Sequence, residues 1–206
     1  MRGSDGVTGL IERSGNGDLP SPEGLARAWV GLITGPRQFF REDVEPDRHL
    51  PALAFAMVVV AISETLRLAL VPDAHPVFGG LAVPSALLWL AVVVLVVTPI
   101  ALALVTAIQT LLVKLFVDDP GDPTETAQIV AYATAPCVLA GVPIPEVTAL
   151  VAIWGTVLLA IGVTEVHGPW FEPALALSAI PSAIVFGFGF RGFAAVETLL
   201  RQWYII

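Results

Sequence analysis

Between Pro84 and Val117 the chain carries one charged residue, Lys114, close to the end of the stretch. Such a segment has a bilayer as its natural solvent: about twenty apolar residues at 1.5 Å each cross ~30 Å of hydrocarbon. This one is longer than a crossing requires, so it must tilt, kink or protrude. Pro99 removes a backbone donor near its middle and marks the expected kink, while Trp89 and Lys114 mark its two interfaces. The whole chain agrees with this reading, with 56% hydrophobic and only 14% charged residues and a mean hydropathy of +0.82. A water-soluble domain carries ~25% charge.

Four further segments are apolar enough to cross: about 50–71, 125–142, 146–166 and 173–190. The expected fold is therefore all-α, a polytopic membrane helical bundle of about five transmembrane helices. Thr124 is expected to cap the third span, with Pro136 in its interior. Pro143-Ile144-Pro145 makes the turn to the fourth, and Pro181 bends the fifth. Within that fifth span Ala179, Ala183 and Gly187 recur every fourth position, a small-residue stripe suited to close helix packing.

Ahead of the spans, residues 1–20 are rich in Gly and polar residues and are expected to be a disordered polar tail. Residues 21–49 form an amphipathic interfacial segment and linker. Ser21-Pro22-Glu23 opens a helix with a capping hydroxyl, a proline in the first turn and an acid at the positive end of the dipole. Leu25, Trp29, Leu32 and Ile33 follow on one stripe. That stripe either lies in the membrane interface, anchored by Trp29, Phe39 and Phe40, or packs on the bundle. No basic start with a short apolar core and cleavage site precedes it, so the first span is expected to serve as the insertion signal. Residues 191–206 form a short C-terminal tail whose end, Trp203-Tyr204-Ile205-Ile206, is apolar enough to fold back onto the interface.

Charge excludes some partners. The net charge is −8, with nine Arg and one Lys, which disfavours nucleic acid and anionic surfaces. Residues 1–49 hold six of the ten basic residues, favouring a cytoplasmic N-terminus. The single cysteine, Cys137, excludes an intrachain disulfide.

Candidate chemistry is sparse. Glu64 and Arg67 stand three apart within the first span, an intramembrane polar pair. They read either as an ion pair, with Arg67 reaching toward the interface, or as part of a substrate or proton path. Gly187, Gly189 and Gly192 match a bare GxGxxG pattern, but a membrane span precedes them where a dinucleotide fold needs a strand, so they are packing or helix-end residues. His49, His75 and His167 lie on separate loops without paired spacing, so no metal or other cofactor is expected. His167 near Glu165 is an acid–base candidate or a solvated pair. The acidic loop from Asp118 to Glu125 lacks the ligand spacing of a calcium loop. No nucleophile motif occurs, and an enzyme is not expected.

Several segments taken in order resemble a known family. They are Trp29 with Leu32-Ile33-Thr34, Pro36-Arg37-Gln38-Phe39-Phe40-Arg41, Thr126 to Pro136, then Trp154 and Gly162 to Gly168. The chain is similar in these to the prokaryotic branch of the Yip domain family, named for proteins that interact with Ypt and Rab GTPases. The resemblance implies a five-span domain over 50–190, a cytoplasmic N-terminus and no enzymatic activity. Its pattern positions here are Pro36, Phe39, Phe40, Tyr132, Pro136, Glu165, His167 and Gly168. The expected function is a membrane scaffold or adaptor in the cell membrane. Two alternatives stay open: a small transporter or channel using Glu64, Arg67 and the proline-kinked spans, and a lipid-organising or membrane-shaping protein. Expected partners are the lipid bilayer, a membrane or cytoplasmic protein, or further copies of the chain.

Overall fold

The computed structural model describes residues 21–46, 49–72, 74–118 and 120–204, so the expectations for residues 1–20 and for Ile205 and Ile206 fall outside it. Every regular element among the described residues is helical. Helix α1 (Pro22–Thr34) starts as the sequence suggests, with the Ser21 hydroxyl accepting the Gly24 amide at 3.1 Å. It stops at Gly35 because Pro36 disfavours helical backbone in the residue before it, and Pro36 opens α2 (Pro36–Glu42). These two helices form the head.

Four long apolar helical stretches follow: α3 (His49–Leu70), the 35-residue run Ala82–Phe116, α7 (Pro145–His167) and Phe171–Gly189. Two of them carry a proline deep in their interior, Pro99 and Pro181, and each absorbs it through a widened turn. In the second stretch α4 (Ala82–Val92) passes through a π turn at Val93–Val97 into α5 (Thr98–Phe116), just before Pro99. The Thr98 hydroxyl donates to the Val93 carbonyl at 2.9 Å there, occupying an acceptor of the widened turn. In the last stretch α8 (Phe171–Ser182) carries Pro181 and passes into a π turn at Ala183–Gly189.

The third expected span departs from a simple helix. Helix α6 covers only Pro123–Ala133 and continues as a 3-10 segment, Ala135–Leu139. Pro136 has no amide to continue the α-helical ladder, which is why the helix changes type there. Eleven residues reach only ~16 Å, so α6 alone cannot cross. The combined segment nevertheless runs the depth of the bundle: Gly121 donates to the His167 ring at one end, and Gly141 lies against the Ser63 carbonyl at the other. Its cap is Asp122, not Thr124. The Asp122 carboxylate accepts the Thr124 amide at 2.7 Å, and Glu125 accepts the Asp122 amide at 2.8 Å, a reciprocal capping box with Pro123 in the first helical position.

This broken segment sits at the centre. Ile129, Ala131, Ala133, Ala135 and Cys137 are fully buried, as are Leu158, Leu159 and Val163 of α7 beside it. Helices α3, α5 and α8 surround that pair, and the Ala82–Phe116 run is the most outward of the long stretches. The stretch from residue 191, read in the sequence as a tail, contains helix α9 (Gly192–Gln202), which packs on α7.

Two outcomes test this architecture. A Cβ on Gly141 would overlap the Ser63 carbonyl oxygen, so Gly141→Ala must push α3 off the 3-10 segment. The expected cost is roughly 1–3 kcal/mol, read as a lower melting temperature in detergent, with Gly24→Ala of α1 as a control, where an added Cβ meets only the Ser21 hydroxyl at an ordinary 3.4 Å. Hydrogen bonds from the Thr124 hydroxyl, then its amide, hold the Asp122 carboxyl below the ordinary carboxylate range. Its capping contribution is thus present at neutral pH and lost as pH falls through that lowered value. Asp122→Ala should lower stability at pH 7 and leave a shallower acid dependence; an unchanged acid profile refutes the cap.

Candidate functional site

At one end of the bundle the two head helices are docked over α6 and α7. The contact starts with aromatic rings: Phe39 meets Phe40 and Tyr132 edge-on at 5.8 and 5.0 Å, and Tyr132 meets Phe55 of α3 at 5.2 Å. Phe40 is 1% exposed and rests on Gly162 of α7, where any side chain would crowd it and Ile129. Leu32 of α1 is fully buried, and the Trp29 indole donates to the Ala135 carbonyl at 2.8 Å. The α1 stripe therefore packs on the bundle through Leu25, Trp29 and Leu32, while Val30 and Ile33 stay exposed.

Charge then locks the head. The Glu165 side chain is only 7% exposed and accepts hydrogen bonds from Arg37 at 3.2 Å and from Arg41. Burial of a carboxylate is tolerable only with such partners. The hydrogen bond from Arg41, reinforced by the opposite charge, in turn raises the Arg41 pKa above its ordinary value. Both arginine side chains keep about two-thirds of their surface in solvent, 63% and 69%. The linker is held as well, because the Gln128 amide group accepts from the Glu45 amide at 3.3 Å and donates to its carbonyl at 2.6 Å.

His167 and Glu165 take different partners and do not form the pair considered from sequence. The Gly121 amide donates to His167 Nδ1 at 3.2 Å, which leaves Nε2 as the protonated nitrogen facing the Thr126 hydroxyl at 3.1 Å. Both ring nitrogens are thus occupied in joining the start of α6 to the end of α7. Gly168 ends α7 in a left-handed conformation, φ 80°, where glycine is unstrained.

At the opposite end Glu64 lies 3.5 Å from Arg67 and 3.4 Å from Arg191, so the intramembrane pair is a three-membered cluster. Of the small-residue stripe, Gly187 is buried under Phe193 of α9 and Ala183 is half-buried, but Ala179 is exposed. The π turn between them breaks the every-fourth-residue register. Gly192 is pressed against Ala152 and the Phe186 carbonyl, so two glycines of the GxGxxG match serve helix packing.

Sequence reasoning named Phe39, Phe40, Tyr132 and Glu165 but not the partners that hold them. Arg37, Arg41, Thr126, Gln128 and Gly162 all stood in the quoted segments without a role. Only the Asp122-x-x-Glu125 capping box was locally readable. The other hydrogen-bonded pairs meet across 41 to 128 residues of sequence.

A multi-pass helical membrane protein with its N-terminal helices clamped across one end of the bundle is the class these contacts define. A family model for the Yip1 domain matches residues 30–191, and the chain belongs to the Yip1 domain family. The matched region contains α2, the four long stretches, the broken central segment and Arg191. No curated protein and no solved structure matches the chain.

If the buried carboxylate holds the head, Glu165→Gln lowers the melting temperature by a few degrees and speeds proteolysis within residues 36–46. Replacing the solvated pair Arg201 and Glu197 should do neither. Equal proteolysis in both variants rules the clamp out.

Proposed function

We propose that this Yip1-domain protein is a non-enzymatic scaffold or adaptor of the cell membrane, with its head on the cytoplasmic side. The observation that supports this reading is the head itself. A buried glutamate fixes two arginines whose outer surfaces stay in water, and α1 beside them leaves Val30 and Ile33 exposed at 54% and 45%. A rigid, mixed cationic and apolar surface suits recognition of a protein partner, because the head loses little conformational freedom on binding. The family membership, the placement of six of the ten basic residues in residues 1–49 and the docking of the head agree with it.

The test is quantitative affinity purification of the tagged full chain from native membranes in mild detergent. The comparison is a Val30→Asp, Ile33→Asp variant, whose changes fall on exposed positions and leave the buried contacts in place. A stoichiometric partner recovered with the natural chain and depleted at least tenfold by the variant is the expected result. Recovery of the protein alone, or equal recovery with both chains, defeats the adaptor reading. Labelling of a Ser21→Cys variant in intact cells checks the side: a membrane-impermeant thiol reagent should fail to reach it, since Cys137 is buried and silent.

A further inference from the structure

We infer that the end of the bundle away from the head carries a binding pocket for a phosphate group, formed by Arg67 and Arg191. An open pocket of about 230 Å³ lies where the end of α3, the turn before α7 and the start of α9 come together. Its polar lining is Arg67, Arg191, Thr148 and Thr198, and among the described residues no carboxylate lines it. Gathering two of ten cations into one concave site is notable in a chain of net charge −8.

The local charge does not cancel. Glu64 touches both guanidinium groups, at 3.5 and 3.4 Å, but supplies one negative charge for two positive ones. Burial lowers the Arg191 pKa first, the like charge of Arg67 lowers it further, and Glu64 opposes both. A pair of arginines held together against their own repulsion is relieved by a second anion, and the planar guanidinium matches phosphate oxygens. Among the described residues, the nearby acids do not fill that role. Glu146 in the first turn of α7 is exposed and outside the pocket lining, and Glu197 of α9 is engaged by Arg201 at 2.8 Å.

Backbone geometry adds to the same field. The first turns of α7 and α9 both border the pocket, and neither helix has a side-chain cap. Their unpaired amides and positive dipole ends favour an anion. Arg191 itself adopts a left-handed conformation, φ 61°, uncommon for a residue with a Cβ. Thr148 and Thr198 already spend their hydroxyl protons on the carbonyls of Ile144 and Ala194, so the arginines are the side-chain donors left for a ligand.

Position points to the source. Arg67 stands in the last turn of α3, and Arg191 comes two residues after the Phe171–Gly189 stretch, so both guanidinium groups lie toward the end of the apolar spans. That is the level at which arginines reach lipid headgroups. The phosphate of a phospholipid and free inorganic phosphate share the chemistry the pocket recognises.

The experiment uses the purified full chain in a neutral detergent and reads binding by native mass spectrometry and by ligand-dependent melting. The probes are inorganic phosphate, a short-chain phosphatidylglycerol, and the uncharged diacylglycerol with the same chains. Saturable binding of a phosphate-bearing probe, without binding of the diacylglycerol, is expected. Affinity should fall about tenfold in Arg191→Gln. It should fall at least as far in Thr198→Glu, which places a carboxylate in the pocket from an exposed position of α9. Glu64→Gln should move the other way and tighten binding, because it removes the competing negative charge; a merely structural cluster would lose stability in both Glu64→Gln and Arg191→Gln with no opposite effect on a ligand. Binding of phosphatidylglycerol alone assigns a lipid headgroup, and binding of inorganic phosphate as well assigns a free anion. No saturable binding by either probe, or binding indifferent to Thr198→Glu and Glu64→Gln, overturns the inference.

Discussion

The structure depends on hiding one broken helix. Between Gly121 and Gly141 the chain runs the depth of the bundle as α6 and a 3-10 segment, with Pro136 interrupting the α-helical ladder. In hydrocarbon an irregular backbone exposed to lipid leaves polar groups without partners, at several kcal/mol each, so such a segment survives only inside protein. Helices α3, α5 and α7 supply the sheath, and the fully buried side chains of α6 are what they enclose. The Thr134 hydroxyl donates to the Ala131 carbonyl at 2.6 Å, and the Trp29 indole to the Ala135 carbonyl, taking up acceptors near the break.

That last contact ties the head to the core. The indole that anchors α1 also satisfies a carbonyl in the interrupted segment, and Tyr132, one turn before the break, is the ring on which Phe39 rests. Head docking and closure of the central segment are therefore one packing problem. The Glu165 clamp adds direction to this apolar contact, because rings alone tolerate sliding whereas a buried carboxylate between two arginines does not. His167, bridging Gly121 and Thr126, pins the entry of the same segment.

The two ends of the bundle differ in character. At the head end, one buried acid holds two cations that remain largely in water. At the other end, one acid inside the bundle meets two cations that are mostly withdrawn from solvent and border a pocket. Pro99 and Pro181, the interior prolines of the long spans, are accommodated between these ends by π turns, which keep each helix continuous while shifting its register. Through that shift Gly187 reaches α9 while Ala179 remains outside.

Helix type, approximate span limits and the membrane as solvent were legible in the sequence because they depend on local apolar length, and composition alone measures it. Cap residues and proline breaks were legible for the same local reason, although at Asp122 the cap was read two residues late. The sequence also carried enough order in its short motifs to indicate the family. Tertiary structure alone decided which crossing is central, because α6 is less apolar than the outer spans and its burial comes from neighbours. It alone brought Arg191 to Glu64 across 127 residues, and Arg37 and Arg41 to Glu165 across more than 120. Pairing of charges at such separations follows from how the helices cross, and no local pattern in a single chain encodes that crossing.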